Sequence, residues 1–134
     1  MAHIAAPSVP VSWGELLDKI TILEIKGERI TRAEARANVT REYRLLRAIG
    51  AEVLSRSGVA QLVAALKRVN EALWEIEDAI REQEAKRQFG TEFVKLARAV
   101  YQRNDERAAL KREINLALES ELIEEKSYAS CVAA

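Results

Sequence analysis

Apolar side chains recur along this chain at alternating intervals of three and four residues, the spacing that lines one face of an α-helix. Trp13, Leu16, Ile20, Leu23, Gly27 and Ile30 make a first such face. Ile22 and Ile25 fall off that stripe, so this helix is expected to meet more than one neighbour. Ser12 stands three positions before Glu15 as in a capping box, with Val11 and Leu16 at the hydrophobic-staple positions. Gly27 lies on the apolar face and is expected to admit a close helix, at an intrinsic cost of about 1 kcal/mol. Thr31 followed by Glu34 signals a second capping box and a helix starting near Arg32. Its stripe is Val39, Tyr43, Leu46 and Val53, with Leu45, Ile49 and Leu54 beside it. Ser55-Arg56-Ser57-Gly58 reads as a turn.

The third segment has the most regular pattern. Val59, Leu62, Leu66, Val69, Leu73, Ile76 and Ile80 alternate by three and four without a break, as in a coiled-coil seam. A polar run from Arg81 to Gln88 and Phe89-Gly90 end it. A fourth helix opens near Thr91 or Glu92 on Phe93, Leu96, Ala97, Val100 and Tyr101, and closes on Leu110, Ile114, Ala117 and Leu118. Between them lies the polar belt Gln102-Arg103-Asn104-Asp105-Glu106-Arg107. Periodicity fades after Glu119, so Glu124-Glu125-Lys126-Ser127-Tyr128 is expected to be irregular, with Tyr128 either docked or exposed.

Four helices of about 20 to 28 residues, roughly 30 to 40 Å long, joined by short turns predict an all-α antiparallel bundle with coiled-coil-like packing. The expected organisation is one domain over 11–128, flanked by a flexible N-terminus at 1–10 and a flexible tail at 129–134. So long and thin a bundle leaves stripes that one chain covers poorly, which points to a homodimer.

Composition narrows the function. Acidic and basic residues balance at 21 each, so no net field draws nucleic acid or an anionic membrane surface. Aromatics make up only 5% of the chain, too few for a base-stacking platform. No stretch approaches the roughly 20 apolar residues of a membrane span, and the first residues lack the pattern of a signal peptide. The expected location is cytoplasmic. The single Cys131 and single His3 provide neither a disulfide nor a metal cluster. There is no Gly-rich phosphate loop and no Glu-x-x-His pair, so no metal and no cofactor are expected.

The remaining chemistry lies in the belt. Arg103, Arg107 and Lys111 are spaced by four and are expected to project to one side of the fourth helix, where they could hold a carboxylate or phosphate. Apolar residues at both ends of that stripe set Arg103 and Arg107 toward the interior, where a cation needs a partner. Asp18, Glu24, Asn70, Glu77 and Asn104 are the candidate polar network, with Glu77 or Glu24 expected to face Arg107. Two readings follow. In the favoured one, a non-enzymatic module self-associates or binds a protein partner, and the belt sets helix register. In the other, a small enzyme or binding protein takes an anionic metabolite in a polar pocket inside the bundle.

The segments Val11–Lys26 (VSWGELLDKITILEIK), Asn70–Asp78 (NEALWEIED), Asn104–Asn115 (NDERAALKREIN) and Glu124–Tyr128 (EEKSY) resemble a family of short bacterial helical proteins of unknown function. The likeness runs from about Val11 to Tyr128. It implies a stand-alone bacterial protein in a pathway linked to surface-glycan biosynthesis. It supplies no activity and no catalytic residue.

Overall fold

The computed structural model describes residues 3–129. Its four helices are α1 (Trp13–Arg29), α2 (Ala33–Leu54), α3 (Val59–Ala85) and α4 (Thr91–Ala117), with no strand among the described residues. Ser12 caps α1 through its hydroxyl, which accepts from the Glu15 backbone N–H at 3.1 Å. Only half of the expected capping box forms, because the Glu15 carboxylate turns to Lys111 on α4. The second box does not form. The N-cap of α2 is Arg32, without a side-chain bond, and Arg36 ties the junction instead. Its guanidinium donates to the Gly27 and Ile30 carbonyls at 2.8 and 2.6 Å, satisfying orphan acceptors at the end of α1.

Gly58 turns the chain between α2 and α3 with φ of +85°, a conformation that most side chains resist. The α3 and α4 ends reverse on Arg87 (φ 53°) and Glu119 (φ 50°). Each is followed by a backbone N–H that reaches back five residues, Gln88 to the Gln83 carbonyl at 2.9 Å and Ser120 to Asn115 at 2.8 Å. These are Schellman caps without glycine.

The bundle is organised around α1, which packs against all three other helices, whereas α2 and α4 do not meet. Leu17, Ile20, Leu23 and Ile25 are almost fully buried, so α1 is apolar on several sides as its pattern implies. Leu17 was not part of the predicted stripe. The core joins Leu16, Leu17, Ile20, Val53, Val59, Leu66 and Ile114.

Close approach depends on glycines other than Gly27. A Cβ on Gly14 would stand 2.4 Å from the Lys111 carbonyl oxygen, and one on Gly50 would stand 2.7 Å from Ile20 Cδ1. Gly27 has open space around it, which corrects its expected role.

The core occupies one end of the bundle. From Glu71 through Leu110 no residue is buried, although the apolar pattern continues through Leu73, Ile76, Ile80, Phe93, Leu96 and Val100. The reason is length. α1 ends at Arg29, which pairs with Glu75 and lies over the Trp74 ring at 6.0 Å. The rest of α3 and the start of α4 continue past it as a two-helix hairpin, with Phe89 and Phe93 packed edge to face at its turn.

Candidate functional site

The polar belt of α4 meets α1 and α3 around one buried carboxylate. Asp18 sits one turn beyond Gly14, where α1 comes close enough to α4 for a short acid to reach. Arg107 grips it with two nitrogens, Nε to Oδ1 at 3.0 Å and Nη2 to Oδ2 at 2.5 Å. Asn70 on α3 donates to the same Oδ1 at 2.9 Å and to the Thr21 hydroxyl at 2.9 Å. Thr21 in turn donates to the Asp18 backbone carbonyl at 2.7 Å. Fork geometry and charge make the Arg107–Asp18 contact the strongest kind of side-chain hydrogen bond. No buried side-chain nitrogen or oxygen among the described residues lacks a partner.

One turn along, Lys111 is only 7% exposed and lies between Glu15 (2.6 Å) and Glu124 (3.1 Å). Burial pulls the ammonium pKa down, but the hydrogen bonds it donates to Glu15 and Glu124 and the charge of Asp18 outweigh this and the pKa rises. Burial likewise acts to raise the Glu124 pKa, and Lys111 and Lys126 reverse this and lower it. The Arg107 pKa is raised chiefly by its bond to Asp18, against desolvation.

The segment after α4 completes the arrangement. The Ser120 hydroxyl accepts from the Trp13 N–H at 3.2 Å, and the Asn115 side-chain oxygen accepts from the Gly14 N–H at 2.7 Å. With Ser12 these occupy the first N–H groups of α1, leaving no anion seat there. Glu125 pairs with Arg112 at 3.2 Å. The residues after Glu119 are non-helical, as expected, yet they strap α4 to the start of α1. Tyr128 is exposed, and residues 130–134, with Cys131, lie outside the described residues.

The predicted residues are thus partly brought together. Arg107, Lys111, Asp18 and Asn70 converge. Glu24 does not face Arg107, because it pairs with Lys67 at 3.3 Å. Glu77 pairs with Arg81 at 3.4 Å and only lines a cleft that Arg107 also borders. Arg103 leaves the group, exposed and paired with Glu106 at 3.0 Å. A step of four residues advances about 400°, so a stripe at that spacing rotates about 40° per step away from its first face. Lys111 is interior, Arg107 is 29% exposed and Arg103 has turned outward. Sequence reasoning missed Thr21, Asn115 and Ser120, and Glu15 and Glu124 as partners of Lys111. The Ser12-x-x-Glu15 signature drew attention to Glu15 for its local role.

Clefts flank the network on more than one side. One of about 770 Å³ is bordered by Glu15, Tyr101, Asn104, Lys111, Glu124 and Tyr128. Another, about 410 Å³, lies between Ile22, Trp74, Asn104 and Arg107. The buried ends of Arg107 and Lys111 are already neutralised by carboxylates, so neither of these clefts presents an uncompensated cation. No group of His, Cys, Asp and Glu among the described residues could hold a metal. No described helix is long and apolar enough to cross a membrane.

Fold and site together define an all-α bundle that contains a buried ion-pair network. The chain belongs to a family of unknown function (DUF6165), whose model matches residues 8–134. No curated protein and no solved structure matches it.

Proposed function

We propose that this protein is a non-enzymatic helical module that works by self-association, as a homodimer, with a face left for a protein partner. The observation that carries this reading is the stretch from Glu71 to Leu110. It is helical almost throughout and carries an apolar stripe through Leu73, Ile76, Ile80, Phe93, Leu96 and Val100, yet no residue in it is buried in the single chain. Isolated helices gain little stability in water without a packed apolar face, so a hairpin of this kind is a surface waiting for cover.

The Asp18–Arg107–Asn70 network then sets the register of α1, α3 and α4, since a shift of one turn would strand a buried charge. The closed pairing of Arg107 and Lys111 speaks against the anionic-metabolite reading. The resemblance to short bacterial proteins supports a place in a bacterial cytoplasmic pathway, linked to surface-glycan biosynthesis. Size-exclusion chromatography with light scattering is the test. Twice the chain mass at micromolar concentration is expected, and a monomer at every concentration would remove the proposal.

A further inference from the structure

Residues 3–11, the arm before α1, are exposed throughout, Ile4 at 97% and Val9 at 70%. No backbone hydrogen bond among the described residues involves them. Resting on the self-association reading, we infer that this arm docks in the cleft beside Trp74 of a second copy, and that two copies exchange arms.

The arm is held in one conformation by its prolines. Pro7 and Pro10 fix φ at about −65°. Ala6 and Val9 each precede a proline and are confined to extended backbone. Ser12, at the end of the arm, has φ −68° and ψ 155°, close to polyproline II values. A polyproline II helix turns about once every three residues, so Ile4, Pro7 and Pro10 share one edge. It makes no internal hydrogen bonds, and proline has no N–H to donate. The arm is therefore apolar on one edge and rich in unpaired carbonyls.

The cleft of about 410 Å³ between Ile22, Ile25, Leu73, Trp74, Asn104 and Arg107 offers the complement. Aliphatic side chains beside an aromatic ring are the surface on which proline-bearing segments dock. The Trp74 indole N–H and the Asn104 amide make no hydrogen bond among the described residues. Arg107 engages Asp18 through Nε and Nη2, and Nη1 remains. Asp18 already meets the Arg107 charge, so that free edge suits a neutral carbonyl better than an anion. Residues 4–11 carry no charge.

Chain length assigns the arm to a partner. Ile22 lies about 15 Å along α1 from Ser12, whereas Pro10 stays within about 7 Å of Ser12 even when fully extended. An arm cannot seat both prolines in its own cleft. Reciprocal exchange fills one cleft on each copy and closes a two-fold dimer.

The test uses the full chain. Pro7→Gly with Pro10→Gly changes only the exposed arm, and Trp74→Phe keeps a ring while removing the indole N–H. Each should leave the circular dichroism spectrum intact and raise the dimer dissociation constant about tenfold in sedimentation equilibrium. An equimolar mixture of the two variants should associate more tightly than either alone, because one intact arm then meets one intact cleft. In NMR spectra of the proline-substituted chain, a synthetic peptide of residues 3–11 should shift the Trp74 indole resonance and leave that of Trp13 in place. The peptide carrying the same two substitutions should shift neither. A dimer that survives both sets of substitutions, with no peptide shift at Trp74, overturns the arm exchange and leaves self-association standing. A dimer weakened by Trp74→Phe but not by the proline substitutions means that another segment fills the cleft, and overturns the arm as its occupant. A monomeric unsubstituted chain removes both ideas.

Discussion

Arg107 and Asp18 stand 89 positions apart in sequence and meet in a two-pronged contact, in which the acid is buried and the base keeps a solvent edge. That asymmetry decides how the pair responds to damage. Asp18 is almost fully buried, and among the described residues Asn70 supplies its other side-chain hydrogen bond.

Removing the base should therefore hurt more than neutralising the acid. Arg107→Met strands a buried carboxylate and should lower stability by roughly 3–5 kcal/mol. Asp18→Asn retains the shape and lets Arg107 turn outward, at roughly 1–3 kcal/mol. Urea unfolding of both variants and of the double variant gives the coupling. Independent, additive effects would mean that the contact does not hold the helices.

The glycines of α1 should respond in opposite directions to the same substitution. Gly14→Ala forces a methyl into the Lys111 carbonyl, and overpacking against backbone should cost about 2–3 kcal/mol. Gly27→Ala has open space around it and should add about 0.5–1 kcal/mol through helix propensity. Thermal melts compare the two, with about 3 °C expected per kcal/mol for a chain of this size. Equal melting temperatures would contradict the close contact of α1 and α4.

Acid should loosen the strap after α4 before it unfolds the bundle. The Glu124 carboxyl is held below its usual range. Its contribution is thus present above that range and is lost as pH falls through the folded value. The Lys111 ammonium is raised, so its share persists below the usual lysine range and disappears only as pH climbs past it. Between the two the strap stays closed. The Trp13 amide resonance, whose N–H is held by Ser120, reports the acid limb. It should shift as Glu124 titrates and should stay flat over that interval in Glu124→Gln. An unsubstituted chain with an invariant Trp13 amide would disprove the link.

Much of the fold was legible because a helix and its apolar stripe are properties of neighbouring residues. The three-four alternation located all four helices, and the Ser12-x-x-Glu15 spacing and the Phe89-Gly90 pair marked the α1 cap and the last turn, without reference to any contact. The need of Arg107 for a partner was legible too, since a cation among apolar positions has few alternatives. Its partner was not. Glu24 and Glu77 are longer acids on plausible faces, but they pair with Lys67 and Arg81. Spacing also placed Arg103 beside Arg107 and Lys111, and rotation over two turns carried it outward.

The sequence by itself determined where the chain becomes rods and which side of each rod avoids water, because those depend on residues within a few positions. Only the tertiary structure decided which rods touch and how closely. Gly14 and Gly50 bring α1 against α4 and α2, and that approach puts Asp18 within reach of Arg107. The length difference between α1 and α3 leaves one end of the hairpin bare. Distances between helices arise from the packing of side chains remote in sequence, and no local pattern records them.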